Sequence, residues 1–373
     1  MGYVGNVNDH YCSPEEGVPF YRTLNIRNGH FRHVQLKYVT HAFNEKNKKS
    51  QIKNNDILIA RVGANLGMVC KADGLHGLAN MANSIIIKTD LVNDADADFF
   101  TYFLLSPMGK NQIFSGAAGG AQGVFNTKLT QEIKVPIPPY PEQQKIATIL
   151  GTWDKAISTT EHLIENSKQQ KKALMQQLLT GTHTQRKRLL DDSGKPFDGD
   201  WIFSIFTEIF KVANDKKTQV KSGDYLEIGE IPVVDQGKQL ISGYTNNAEK
   251  HTNLPVIIFG DHTRIIKWVD FEFAQGADGT QVLKENKCLD AKFSYYLLQN
   301  TDIPNLGYSR HMRELKEKDF KYPKDKQEQQ KIASVLTNAD NEIELLKQQL
   351  TDLKQEKKAL MQQLLTGKRR VIV

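Results

Sequence analysis

Cysteine is scarce in this chain. Cys12, Cys70 and Cys288 are the only three. They are odd in number, far apart and without CxxC spacing, which excludes a disulfide framework and gives no zinc or redox motif. No apolar run approaches the roughly 18 residues of a membrane span. The opening MGYVGNVNDHYCSPEEG is too polar for a secretory signal, so a reducing, cytoplasmic setting is expected. Neither a Walker A sequence nor HExxH occurs. Charge of one sign is not in large excess: 49 Lys and Arg against 43 Asp and Glu leave +6. Such a balance permits nucleic-acid binding without requiring it. With 373 residues, the chain is long enough for two or three domains with their own cores.

What the sequence does have is itself, twice. Residues 141–181, PEQQKIATILGTWDKAISTTEHLIENSKQQKKALMQQLLTG, align without a gap to residues 327–367, QEQQKIASVLTNADNEIELLKQQLTDLKQEKKALMQQLLTG, and 22 of 41 positions are identical. This is an internal duplication. Both copies carry a heptad seam. In the first it runs through Ile146, Leu150, Trp153, Ile157, Thr160, Ile164, Ser167, Lys171, Leu174 and Leu178. In the second it runs through Ile332, Leu336, Ala339, Ile343, Leu346, Leu350, Leu353, Lys357, Leu360 and Leu364. Proline is absent from the interior of both, and Gly181 and Gly367 stand where C-terminal caps belong. Each predicts a helix of about 40 residues, ~60 Å long. A lone helix of this kind is marginal in water, so each seam needs a partner, and the other copy is the obvious one. Lys171 and Lys357 occupy the same heptad slot.

A globule-like segment precedes each helix. IKNNDILIARVG and NLPVIIFG predict buried strands, while ADADFFTYFLLS and LDAKFSYYLLQ predict helices in corresponding places. The expected organisation is a first globule at 1–140, a spacer helix at 141–181, a turn-rich linker at 182–200, a second globule at 201–326, a spacer helix at 327–367 and a tail at 368–373. The fold class is α+β: two mixed α/β domains joined by two long antiparallel helices in a coiled-coil rod with pseudo-two-fold symmetry.

Three stretches imitate catalytic motifs. IPPY (137–140) is similar to the Asn/Asp-Pro-Pro-Tyr loop of adenine methyltransferases, but Ile137 cannot accept a hydrogen bond from a target amino group. The second copy reads FKYPKDKQEQQ there, without Pro-Pro-Tyr, so a proline-rich lead into the helix is expected. FSGAAGGAQG (114–123) lacks the last glycine of a methyl-donor loop and reads as a flexible loop near a binding surface. Asp261-His262 reads as a polar turn beside a strand. No catalytic residue and no metal site is expected.

The duplicated helices, VPIPPYPEQQKIATIL, QEQQKIASVL, both KKALMQQLLTG segments, the linker DDSGKPFDGDW, VIIFGDHTRIIKWVDFEFAQGADGTQVL and GYSRHMREL together resemble the specificity subunit of type I restriction–modification systems over nearly the whole chain. The resemblance implies a non-catalytic protein. Each globule would be a target recognition domain reading one half of a bipartite sequence in double-stranded DNA. The helices would space the two domains and dock two modification (methyltransferase) subunits, which would hold S-adenosylmethionine; this chain would hold no cofactor. A restriction subunit would supply the motor and nuclease. Partner docking and the coiled coil would rest on Ile146, Leu150, Trp153, Ile157, Leu174, Leu178, Ile332, Leu336, Ile343, Leu346, Leu350, Leu353, Leu360 and Leu364. One departure stands out. About 30 residues from Trp201 precede IPVV in the second globule, but only 17 precede VPFYR in the first, where no Trp-led strand is visible. The tail GKRRVIV is expected near that gap.

Base-edge reading calls for side chains that donate in pairs or stack. The candidates are Arg264, Lys267, Tyr308, Arg310, His311 and Arg313 in the second domain, and Arg22, Arg27, Arg61, Lys71 and Gln122 in the first. Two other readings stay open at this point: a free-standing DNA methyltransferase, and a coiled-coil scaffold with an impaired first recognition domain.

Overall fold

The computed structural model describes residues 1–118, 124–180, 188–246, 249–277, 279–307 and 309–372. Gln122, Tyr308 and the cap expected at Gly181 lie outside the described residues, as do residues 119–123 of the loop expected at 114–123. The part of that loop within them is helical: Phe114–Ala118 end a helix that begins at Pro107. The chain divides into two compact units, one of residues 1–161 with 348–373, the other of residues 162–347.

In the first unit, β1 (Gly17–Tyr21) lies between β2 (Lys37–Thr40) and β5 (Asn80–Met81), antiparallel to β2 and parallel to β5. A second sheet has β3 (Ile57–Ala60) between β4 (Val69–Lys71) and β6 (Ser84–Ile87), antiparallel to both. All four residues of β3 are buried, so the strand is apolar throughout instead of alternating. Helix α1 (Ala97–Leu105) starts where the Asp96 carboxylate accepts the Phe99 amide at 2.8 Å. The long helix α2 (Tyr140–Leu179) begins in this unit. Its Ile146 and Leu150 join Ile57, Ile59, Val69, Phe99, Phe103 and, from the end of the chain's last helix and the turn after it, Leu364 and Leu365 in one core.

The second unit repeats this plan. Strand β7 (Trp201–Ile205), the short helix α3 (Phe206–Ile209), β8 (Phe210–Val212) and β9 (Gln219–Val220) come first. Then β10 (Ile231–Val234), β11 (Gly243–Thr245) and β14 (Ala274–Gly276) pair as β1, β2 and β5 do. Strands β12 (Val256–Gly260), β13 (Ile266–Val269) and β15 (Thr280–Glu285) pair as β3, β4 and β6 do. Helix α4 (Ala291–Gln299), capped by Asp290, matches α1. Strand β16 (Asp319–Pro323) pairs with β7 and leads into α5 (Lys326–Leu364).

Every seam position of both helices is buried or half-buried, with most flanking residues exposed. Burial of a large aliphatic side chain is worth about 1.5–3 kcal/mol, so the seam dominates helix stability over propensity. Within each unit the two helical stretches run antiparallel. Lys354 meets Glu161 and Lys357 meets Asp154 in the first unit; Lys171 meets Asp340 and Ser167 meets Glu342 in the second. Gly367, at φ +71°, follows α5 as the sequence predicts.

The units differ at their starts. Among the described residues the first unit has no counterpart of β7, α3 or β8. Tyr3 takes the place of β9: it bridges Ala82 in parallel, and the Asn83 amide donates to its carbonyl at 3.0 Å, as Ala277 does to Val220 at 2.7 Å. The C-terminal tail lies in this unit: Arg370 binds Glu142 at the start of α2, and Val371, like Ile133 and Val135, packs onto the core there.

Candidate nucleic-acid interface

The stretch around IPPY is a junction. Ile137 is 72% exposed. The buried Gln143 Nε2 donates to the carbonyls of Pro138 (2.8 Å) and Asp94 (3.1 Å), and its Oε1 accepts the Asp96 amide at 3.0 Å. In the second unit Gln329 repeats this with Pro323 (2.8 Å), Cys288 (3.1 Å) and the Asp290 amide (2.6 Å). Each glutamine thus fixes the long helix to the N-terminus of α1 or α4. Beside them lie the buried carboxylates Glu142 and Glu328. Arg370 holds the first, Nε to Oε1 at 2.6 Å; Arg188 holds the second at 3.0 Å. The Arg370 hydrogen bonds keep Glu142 below the usual carboxylate range. The repeated EQQ is therefore a structural clasp. Among the described residues no cluster of His, Cys, Asp and Glu could hold a metal ion.

The polar seam positions form a second clasp. Lys357 Nζ lies 2.5 Å from Asp154 Oδ1 and 5.1 Å from the centre of the Tyr102 ring, while the Tyr102 hydroxyl donates to Asp154 Oδ2 at 2.8 Å. Lys171, Asp340 and Tyr296 repeat the triad at 2.6, 5.3 and 2.8 Å. Burial, and then the neighbouring carboxylate, raises the Tyr102 phenol well above its ordinary range; burial leads again for Tyr296.

Loops gather at the end of β12. The Asp261 carbonyl accepts both the amide and Nδ1 of His311 at 2.8 Å, and its carboxylate accepts the Met312 amide at 2.7 Å. Nε2 of His311 accepts the Leu306 amide at 3.3 Å, which assigns the proton to Nδ1. His262 Nδ1 lies 3.1 Å from the Ser309 carbonyl, and the His262 amide donates to Gln236. Lys267 is buried: Nζ donates to the carbonyls of Asp235 (2.7 Å) and Gln239 and lies 3.7 Å from the Asp235 carboxylate. Burial lowers its pKa, with Asp235 opposing. Lys267 and His311 thus tie the loops at 235–242, 261–264 and 303–313 together and do not project outward. Arg264, in the left-handed region at φ +60°, is half-buried and donates to the Ile303 carbonyl at 2.8 Å. Arg310 and Arg313 are exposed on the same loop set, Arg313 beside Glu317 at 3.2 Å. Lys238 and Thr263 are exposed with them.

In the first unit Arg61 follows β3 in the position Asp261 holds after β12. Its Nη1 lies 3.6 Å from Met1 Sδ, and its buried Nε meets no acceptor among the described residues. Arg22, at the end of β1, is similar: Nη2 donates to the Gln35 carbonyl at 2.8 Å while Nε is buried without an acceptor. Arg22 and Asn83 line one cleft of about 370 Å³, and the Arg61 amide donates to the Asn83 carbonyl. Arg27 bonds its own neighbour's carbonyl and sits 3.7 Å from Met68 Sδ; Lys71 pairs with Asp98 at 2.7 Å. Those two are engaged within the domain.

A family model, the type I restriction modification DNA specificity domain, matches residues 12–168 and again residues 199–355. The chain belongs to that family. Its relatives include the type I restriction enzyme MjaVIII specificity subunit of Methanocaldococcus jannaschii, 25% identical over 92% of this chain and 87% of that protein. The EcoR124I/EcoR124II specificity subunit of Escherichia coli is 37% identical over 113 residues, covering 29% of this chain and 28% of its own. Among solved structures, the type I S subunit from M. genitalium shares the fold with a TM-score of 0.58 at 18% identity, covering 98% of this chain and 92% of its own.

For both specificity domains, sequence reasoning missed the clasp residues Gln143, Gln329, Glu142, Glu328, Asp154 and Asp340. A signal was present: each pair is identical at the repeat offset. Their tyrosine and arginine partners lie outside the aligned repeat and carried no such mark.

Proposed function

We propose that this chain is the non-catalytic DNA-specificity subunit of a type I restriction–modification complex, in which each unit reads one half of a bipartite target. The observation that carries the reading is the twofold match to the DNA specificity domain. The unlike loop chemistry of the two units supports unlike half-sites. In the second, Arg310, Arg313 and Arg264, with Tyr308, are the base-edge and phosphate candidates, and Lys267 and His311 act as scaffolding beneath them. In the first, Arg22 and Arg61 lead: both are half-buried arginines just past strand ends, Arg22 lining a cleft with Asn83 and Arg61 bonded through its amide to Asn83. The domains run 1–140 and 201–326, with spacer helices at 141–181 and 327–367. Methyl transfer and S-adenosylmethionine belong to two modification subunits docked on the helices, and the motor and nuclease to a restriction subunit.

The test is co-expression with the cognate modification subunit and mapping of methylated sites across a genome. The expected result is a split motif with two unlike halves and a fixed spacer. Methylation governed by one half-site alone would remove the first unit from target reading.

A further inference from the structure

Among the described residues, five other than glycine have left-handed backbone: Gln35 (φ +50°), Asn55 (+72°), Asn83 (+51°), Asp94 (+64°) and Arg264 (+60°). Asparagine and aspartate adopt that region most readily; a long side chain there is strained, and glycine would hold the same turn without strain. Gln35 and Arg264 are the two of the five that are neither. Arg264 is itself a candidate reader, and the Gln35 carbonyl holds Nη2 of another, Arg22, at 2.8 Å. Asn83 joins Arg22 in lining the cleft of about 370 Å³, both standing just past the ends of β5 and β1. The side-chain amides of Gln35 and Asn83 bond no other group among the described residues; Gln35 is exposed and Asn83 half-buried.

The second unit is built differently at the matching strand ends. Arg22 follows β1 and Asp235 follows β10; Arg61 follows β3 and Asp261 follows β12. The two aspartates serve their own loops: Asp235 accepts from the Gly237 amide at 2.8 Å and from the Ser242 hydroxyl, and Asp261 from the Met312 amide at 2.7 Å. With arginines in these places, the strand ends of the first unit carry hydrogen-bond donors themselves.

We propose that Gln35 and Asn83 are specificity-determining residues of the first unit, each presenting its side-chain amide to an adenine in the half-site that Arg22 contacts. An amide offers a donor and an acceptor side by side, which matches N7 and the N6 amino group of adenine in the major groove. The strained backbone at Gln35 is kept because the side chain it carries is used. The inference rests on the DNA-reading function proposed above.

The test uses the full chain co-expressed with its cognate modification subunit, as wild type, Q35G and N83G. Each complex methylates a library in which every position of the wild-type motif is varied, and its melting temperature is measured. Glycine removes the amide and keeps the left-handed turn, so melting is expected to be unchanged or raised. Each variant is expected to lose about tenfold of the preference for adenine at one position. The two positions are expected to differ but to lie in the same half-site, with the other half-site read as before. Discrimination retained by both variants would overturn the proposal. So would a loss spread over all positions or a lowered melting temperature, either of which would make these residues loop supports. Lost preference for a base other than adenine would overturn the amide–adenine pairing. A wild-type complex that methylates no split motif would instead overturn the DNA-specificity reading on which the inference rests.

Discussion

Lys267 and Arg310 are both basic and belong to the same set of loops, yet their surroundings give them opposite work. Lys267 is 6% exposed and holds two loop carbonyls, while Arg310 stands in solvent. Removing Lys267 strands those carbonyls, at a cost of roughly 1–3 kcal/mol. K267A is therefore expected to lower the melting temperature and to weaken all DNA binding together. R310A should leave melting unchanged and cost about 1–3 kcal/mol of discrimination at a base it reads, or a sequence-independent loss if it meets phosphate. Parallel melting curves and binding to a target-variant library separate the two. Glu142 offers a pH test. Its folded pKa lies below the unfolded value because Arg370 bonds the charged form. The stabilisation is whole above the unfolded pKa of about 4.3 and is lost as pH falls through the folded value. R370A should flatten the acid limb of the pH–melting profile and change little at pH 7 relative to pH 6.

At the scale of elements, the Tyr–Asp–Lys clasps show how a helix seam tolerates a lysine. Asp340 serves both Lys171 and the Tyr296 hydroxyl. D340A leaves Lys171 without its carboxylate and the buried Tyr296 hydroxyl with Thr337 in place of two partners, and is expected to destabilise the second unit by about 1–3 kcal/mol, discounted because Asp340 is 38% exposed. The double variant D340A/K171M should recover part of that loss; equal or greater loss in urea melts would show that the clasp is not a coupled unit. The long helices were legible because a heptad period survives any tertiary context and the duplication doubled the signal. α1 and α4 were legible from the similarity of their segments, which share DAxFxxY from Asp96 and from Asp290. The sheets were not. The parallel pairing of β1 with β5 joins residues 60 apart (Phe20 to Asn80), which no local period encodes. Nor was the burial of Lys267 and His311 legible, since it depends on loops folding back from remote positions in the chain.

At the scale of the whole chain, a duplicated domain with unlike loops provides two different readers from one architecture. The spacing of the half-sites then depends on what joins the readers, and both connections include a helix unbroken from Tyr140 to Leu179 and from Lys326 to Leu364. Such a helix adds about 10 Å per heptad, the rise of about three base pairs. Deleting one heptad from α2 and the matching heptad from α5 preserves the seam register and both recognition loops. The expected outcome is a methylated motif whose two halves are unchanged and whose non-read gap is about three base pairs shorter. An unaltered gap would mean that spacing is set by the docked partner subunits or by the DNA itself, and the helices would then serve only as the clamp between domains and partners.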